Sequence, residues 1–175
     1  MRILGLSGSA RRASTNSALL RGLAAAAPDG VEVVVFDGVG RLPVFSPDLD
    51  GDPPSEVRAY IGLVEASDGV LISSPEYVRA PPGGLKNAID WLVSRDTLVG
   101  KPMALLHASH RGDDMLESLR QVLATVSSRF APELFLRLPL MKLSPAEIAG
   151  FLARPENVAA LQAYLSAFVR LCAST

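Results

Sequence analysis

The chain has 175 residues, of which 49% are hydrophobic and 20% charged, with a formal net charge of −1 at pH 7. Such a length suits one domain with a large core, while the near-zero, interspersed charge argues against nucleic acid or an anionic membrane surface as a partner. No apolar run is long enough to predict a membrane span or a signal peptide. The lone Cys172 excludes an internal disulfide, favours a cytoplasmic location and is interpreted as a packing residue.

Five short apolar runs predict the strands of a parallel sheet. In chain order they are ILGLS (3–7), VEVVVF (31–36), GVLIS (69–73), MALLHA (103–108) and ELFLRL (133–138). Most carry apolar residues at consecutive positions, which indicates strands that are covered on both faces by other elements.

Helical spacing of apolar residues follows each of these runs. The predicted helices cover residues 15–27, 54–66, 83–94, 113–127 and 155–172. The alternation predicts an α/β fold, a doubly wound five-stranded parallel sheet of order 2-1-3-4-5 with helices on both faces. The Pro- and Asp-rich segment 37–54 is interpreted as a packed surface loop instead of a linker, so we expect residues 1–175 to form one domain.

In this strand order, the loops after the first and third strands meet where the order reverses, which is where ligands bind in open α/β sheets. These loops are GSARRASTN (8–16) and SPEYVRAPPGG (74–84). Both are chemically unusual, and the sequence therefore predicts a binding site at this edge of the sheet.

The first loop is rich in small hydrogen-bonding groups just before a helix. Its donors are the hydroxyls and the amide of Ser9, Ser14, Thr15, Asn16 and Ser17. Gly8 allows close backbone approach, and Arg11 or Arg12 adds positive charge. This set suits a terminal phosphate monoester at a helix N-terminus. Helix capping by Ser14 or Thr15 explains only part of it.

Better-known phosphate and hydrolase motifs do not fit this loop. It lacks the lysine of a Walker A loop and the spacing of a G-x-G-x-x-G fingerprint, and GLSGS (5–9) departs from a nucleophile elbow at its last position. A phosphate held by hydroxyls and amides without a metal suggests a retained cofactor whose phosphate does not react. FMN fits that description.

The second loop supplies groups suited to a flat ring. Pro75 and Tyr77 can lie against it, and the prolines at 75, 81 and 82 stiffen the backbone whose N–H groups would address the polar edge of a flavin. Trp91 is interpreted as a core or subunit contact. His107 and His110 are interpreted as structural or rim residues.

Together, GSARRASTN and PEYVRAPPGGLKNAIDW (75–91) resemble the NADPH-dependent FMN reductase family of flavodoxin-like proteins, which includes chromate and quinone reductases. The resemblance extends over residues 1 to about 130. It implies a flavodoxin-like fold, bound FMN, and NADPH or NADH as electron donor. Residues that match the family's FMN-contacting positions or adjoin them are Ser9, Arg11, Ser14, Thr15, Asn16, Ser17, Pro75, Glu76, Tyr77 and Ser109.

The resemblance further implies an oxidoreductase that passes electrons through FMN to a small acceptor: a quinone, free flavin, azo compound or metal oxyanion such as chromate. No side chain need act as acid or base, so no catalytic residue is assigned. A homodimer or homotetramer is expected. The alternative is a non-catalytic FMN-binding sensor or electron-transfer module. Val78, Arg79 and the loop HASHRGDDM (107–115) depart from the family pattern where the second substrate would enter.

Overall fold

The computed structural model describes residues 1–174 and contains a five-stranded, all-parallel sheet of order β2-β1-β3-β4-β5. Its strands are β1 (Arg2–Ser7), β2 (Glu32–Phe36), β3 (Gly69–Ser73), β4 (Met103–His107) and β5 (Phe130–Arg137). Its helices are α1 (Thr15–Ala25), α2 (Ser55–Glu65), α3 (Gly83–Val93), α4 (Asp113–Val126), α5 (Pro145–Leu152) and α6 (Pro155–Ala173). The predicted fold class and strand order are confirmed.

The sheet separates two hydrophobic cores. Because side chains alternate across a strand, Leu4 and Leu6 of β1 face the core formed with α2, α3 and α4, whereas Ile3 faces the core formed with α1, α5 and α6. The same alternation repeats in β3 and β4. Burial on both faces is why the central strands read as continuous apolar runs.

The loops after β1 and β3 are spatial neighbours, as the strand order predicts. Gly8 N donates a hydrogen bond to Ser73 O over 2.8 Å. The Ser73 hydroxyl donates to Asn16 Oδ1 over 2.9 Å, which connects the end of β3 to the first turn of α1. These two bonds fix the crevice at which the candidate site lies.

Helix α5 was not predicted from the spacing of apolar residues. It begins with a capping box, in which the Ser144 hydroxyl accepts from Glu147 N and the Glu147 carboxylate accepts from Ser144 N. Strand β5 begins at Phe130, three residues before the predicted run. Among residues 1–174, no helix has both the length and the apolar character to cross a bilayer.

The segment 37–54 is a packed surface loop, as predicted, and contains two single turns of 3-10 helix, Val39–Arg41 and Pro47–Leu49. Trp91 is fully buried in α3, and its indole N–H donates to Pro43 O over 2.8 Å. The side chain of Asn87 accepts from Phe45 N over 2.8 Å. Helix α3 therefore holds this loop in place beside the sheet.

Candidate functional site: a cavity at the strand-order reversal

A cavity of about 310 Å³ opens at the carboxyl ends of β1, β3 and β4, within the size range of small-molecule sites. It is lined by the β1–α1 loop, the β3–α3 loop, the β4–α4 loop and Met141. Nine of the ten residues predicted to contact a cofactor line it: Ser9, Arg11, Ser14, Thr15, Asn16, Pro75, Glu76, Tyr77 and Ser109. The tenth, Ser17, does not.

The β1–α1 loop is shaped by hydrogen bonds among its own side chains and main chain. Ser14 is the N-cap of α1, and its hydroxyl accepts from Ser17 N over 3.3 Å. The Ser9 hydroxyl accepts from Arg11 N over 3.2 Å. Ser9 and Ser14 are buried, whereas the Arg11 side chain is exposed. The helix start therefore faces the cavity with its remaining N–H groups and the exposed cation of Arg11.

Two predicted donors of this loop belong to the framework beneath the cavity. The buried Ser17 hydroxyl lies 2.8 Å from the Ser7 hydroxyl, so Ser17 links α1 to the end of β1. The Asn16 side-chain oxygen accepts from Ser73, although Asn16 still borders the cavity. Both residues position the loop.

Gly8 is required by the close approach of the two loops. A Cβ at this position would lie 2.6 Å from Ser74 Oγ and 2.9 Å from Leu85 Cδ2, closer than real Cβ contacts. Any larger residue would force the β3–α3 loop away from the β1–α1 loop. The glycine therefore sets the width of the crevice.

The β3–α3 loop ends in a tight turn with unusual backbone conformations. Tyr77 N donates to Ala80 O over 3.0 Å and Ala80 N donates to Tyr77 O over 3.1 Å. The two residues between them, Val78 and Arg79, have φ angles of 52° and 60°. Each of these left-handed residues costs roughly 1–2 kcal/mol. Val78 is 98% exposed and Tyr77 53% exposed at the cavity mouth.

Two contacts connect this turn to the first turn of α4. The Glu76 carboxylate accepts from Met115 N over 3.4 Å, and Arg79 Nε lies 3.5 Å from Asp114 Oδ2. The N-cap of α4, Gly112, has no side chain that could accept hydrogen bonds from the N–H groups in the first turn of the helix. A carboxylate is favoured at a helix N-terminus. Glu76 therefore lines the cavity while its carboxylate caps a neighbouring helix.

The β4–α4 loop closes the third side of the cavity. His107 Nε2 lies 2.6 Å from Arg111 O, and the Ser109 hydroxyl accepts from Arg111 N over 3.0 Å. The Ser109 hydroxyl also donates to Met141 Sδ over 3.4 Å. Gly112 has a φ of 101°, so the chain can turn sharply into α4.

Charges beside this loop are paired. The pKa of Asp113 is held below its usual value by its hydrogen bond and charge attraction to Arg137. The pKa of the buried His107 is lowered mainly by desolvation. Burial therefore favours the neutral form of the histidine side chain.

The sequence did not assign His107, Gly112 or Met141 to the site. The position of His107 at the carboxyl end of β4 was a usable signal, because ligands bind at those strand ends. A glycine before the acidic start of α4 marked the turn at Gly112. Met141 follows β5, the outermost strand, and no motif indicates that it reaches the cavity.

Comparison with known proteins decides the family. Residues 1–138 match the sequence profile of the NADPH-dependent FMN reductase family. The chain belongs to that family. The sequence-based identification, made from the two loop motifs, is confirmed, and its flavodoxin-like fold agrees with the family.

Some curated relatives align with only part of this chain, and others align with nearly all of it. A 2-hydroxy-1,4-benzoquinone reductase of a Burkholderia species is 39% identical over 112 residues, 62% of this chain and 61% of the relative. The chain thus aligns with about three fifths of the length of such relatives. A quinone reductase of Pseudomonas putida is 31% identical over 179 residues, covering 95% of this chain and 90% of the relative.

Among solved structures, FerB from Paracoccus denitrificans, described as a flavoenzyme NAD(P)H:(acceptor) oxidoreductase, superimposes with a TM-score of 0.76. It is 28% identical, and the alignment covers 98% of this chain and 97% of FerB. The similarity therefore extends past the family match at residue 138 into α5 and α6.

Proposed function

We propose that this protein is an NAD(P)H-dependent oxidoreductase that holds FMN in the cavity at the strand-order reversal and reduces a quinone. The observation that carries the proposal is that the two motif-bearing loops meet at one cavity. The β1–α1 loop brings hydroxyl and guanidinium donors that suit a phosphate, and the β3–α3 loop brings Pro75 and Tyr77, which suit a flat ring. Relatives named quinone reductases support the choice of acceptor.

The residues at the β1–α1 side fit a phosphate monoester. Ser9, Ser14 and Thr15 carry hydroxyls, the start of α1 presents N–H groups, and Arg11 supplies a positive charge. No carboxylate occurs in residues 8–16. The donors are neutral or cationic, and most are held in place before any ligand arrives, which lowers the entropy lost on binding.

The residues at the opposite side fit a flat heterocycle. Pro75 and the half-exposed ring of Tyr77 provide apolar surface, and Ser109 adds a polar group from the β4–α4 loop. When bound there, FMN would supply the electron transfer between nicotinamide and acceptor. The protein would bind and orient the ring and leave one side open to the substrates at the mouth formed by Tyr77 and Val78.

The proposal is tested by steady-state oxidation of NADPH and of NADH by the FMN-loaded protein. We expect rapid oxidation with a benzoquinone as acceptor. Free flavin, an azo dye and chromate in parallel assays rank the other acceptors. A protein that binds FMN but oxidises neither nicotinamide with any acceptor contradicts the enzyme assignment and leaves the sensor or electron-transfer alternative.

We also propose a homo-oligomer with the cavity near a subunit boundary. Exposed apolar side chains at the mouth, those of Tyr77, Val78 and Met141, support it. Light scattering of the purified protein tests it, and a monomer at all concentrations contradicts it. A cytoplasmic location is proposed because the chain has a single cysteine, Cys172, and so no internal disulfide, which suits a reducing compartment.

A further inference from the structure

His107 has the features of a proton-binding residue at the cavity. It is the last residue of β4, it lines the cavity, and it is only 1% exposed. Gly112 lies so close that a Cβ there would be 2.9 Å from His107 Nε2. The imidazole is therefore buried between the β4–α4 loop and the cavity, with Gly112 packed against it.

The hydrogen bonding of His107 fixes its tautomer. Nε2 lies 2.6 Å from Arg111 O, and a carbonyl oxygen can only accept, so Nε2 carries the hydrogen. The neutral ring then has its lone pair on Nδ1. Across residues 1–174, no hydrogen-bond donor reaches this buried nitrogen. Nδ1 is therefore the ring nitrogen left without a partner among these residues, and the Ser74 backbone favours the protonated ring over the neutral one.

Groups around His107 act on its protonation in opposite directions, so a further charge in the cavity can change its protonation state. Desolvation and Arg137 of β5 favour the neutral ring, whereas Asp113 of α4 favours the cation. Glu76 of the β3–α3 loop borders the same cavity, with its carboxylate directed to the start of α4. Arg137 and Asp113 pair with each other, whereas Arg11 and Arg111 line the cavity with exposed side chains. His107 is the buried titratable side chain of the cavity, so a new negative charge there would favour its protonated form.

We propose that His107 binds a proton at Nδ1 when the FMN in this cavity is reduced and releases it when the FMN is reoxidised. The proposal rests on the proposed function, because it requires FMN in the cavity. His107 would thereby balance the charge of the reduced state, a role that its interpretation as a structural residue did not include.

Proton uptake by His107 is consistent with the proton and electron balance of the overall reaction. A hydride from NAD(P)H carries two electrons and one proton and adds one negative charge to the site. A proton from solvent on His107 Nδ1 neutralises that charge. A quinone becomes a hydroquinone by taking up two electrons and two protons. The hydride supplies both electrons and one proton, and the proton stored on His107 supplies the second.

Histidine NMR of the wild-type protein tests the proposal, because the chain has only two histidines. The pKa of His107 is measured in the FMN-loaded protein, oxidised and after anaerobic reduction with dithionite, and a His110→Gln variant assigns the two signals. We expect the pKa of His107 to rise by about one pH unit or more on reduction. The exposed His110 serves as the internal control and should not shift.

Equal pKa values of His107 in the oxidised and reduced complexes overturn the proposal, while the bound FMN in the same sample leaves the proposed function intact. A protein that binds no FMN overturns both.

A variant separates proton binding from a structural role. In His107→Gln, the side-chain amide can still donate to Arg111 O but does not titrate. The pH dependence of the flavin midpoint potential counts protons taken up per two electrons. We expect one proton fewer for His107→Gln than for the wild type, in the pH range between the two pKa values of His107. Identical slopes overturn the proposal.

Discussion

The two loops that meet at the cavity are built in opposite ways. The β1–α1 loop (8–14) contains no residue with positive φ, and its hydroxyls are buried and hydrogen-bonded to the adjacent main chain. The β3–α3 loop (74–82) has two non-glycine residues in the left-handed region, and its tip is exposed. One loop is organised before a ligand binds, and the other stores strain at the mouth.

This difference suggests a division of roles. A pre-organised loop loses little entropy on binding, so the β1–α1 loop is suited to retain a cofactor. The strained turn at Val78 and Arg79 is held by the Arg79–Asp114 contact and by the capping of α4 by Glu76. Strain of this kind collects at functional sites. We therefore propose that the first loop contributes most to FMN retention and that the tip of the second loop contributes to substrate selection.

We expect the largest effect from a substitution that disrupts the contact between the two loops. In Gly8→Ala, the new Cβ would lie 2.6 Å from Ser74 Oγ, so we expect a loss of about 1–3 kcal/mol in unfolding free energy and weaker FMN binding. Urea unfolding and a flavin fluorescence titration measure the two effects. As a control, Gly62→Ala in α2 meets no atom within 4 Å and should gain about 0.5–1 kcal/mol. Wild-type stability and FMN affinity in Gly8→Ala would refute the requirement for glycine.

Charge at the first loop gives the next largest effect. Arg11→Ala should weaken FMN binding by about tenfold or more, because a hydrogen bond to a charged group contributes roughly 1.5–3 kcal/mol. Arg12 is the matched control, since it is also exposed but does not line the cavity. Arg79→Ala should have a smaller effect than Arg11→Ala. Similar FMN dissociation constants for the Arg11 and Arg79 variants would count against the phosphate position.

Substitution of two N-cap residues distinguishes an effect on folding stability from an effect on FMN binding. Ser14→Ala and Ser144→Ala each remove a side-chain N-cap, of α1 and α5 respectively, and each should lower the unfolding free energy by about 1 kcal/mol. Only Ser14 lines the cavity, so only Ser14→Ala should also weaken FMN binding. Equal FMN affinities of the two variants, measured by the same titration, would show that the Ser14 hydroxyl acts only as a cap.

The smallest expected effect concerns the strained turn. Asparagine adopts positive φ more readily than a β-branched residue, so Val78→Asn should raise the unfolding free energy by about 1 kcal/mol. FMN affinity should stay nearly unchanged, because Val78 does not line the cavity. Thermal unfolding with and without FMN checks both statements. Lower stability in Val78→Asn would mean that the turn does not store strain.

The sequence was sufficient to predict the strands of the sheet and the end of the sheet at which the cavity lies. The apolar runs predicted all five strands, and the order of elements placed the loops after β1 and β3 together, which the Gly8–Ser73 hydrogen bond confirms. These features follow from periodicity and topology, which are local or nearly local properties. Helix α5 carried a readable signal too, in the capping box of Ser144 and Glu147 before an apolar run.

Other features depend on contacts that the sequence does not encode locally. Nothing in Val78 or Arg79 predicts a left-handed turn, because neither residue favours it. The environment of His107 arises from three separate segments, namely β4, the start of α4 and the Ser74 backbone. Glu76 looked like a ligand residue, yet its carboxylate reaches the N-terminus of α4. Such roles emerge only once the segments are packed.

The most direct test of the central claim is an anaerobic absorbance titration of the purified protein after gel filtration with FMN. We expect about one FMN per chain to remain bound and its visible bands to bleach when NADPH or NADH is added. A colourless protein after gel filtration, or flavin bands that neither nicotinamide bleaches, would contradict the account.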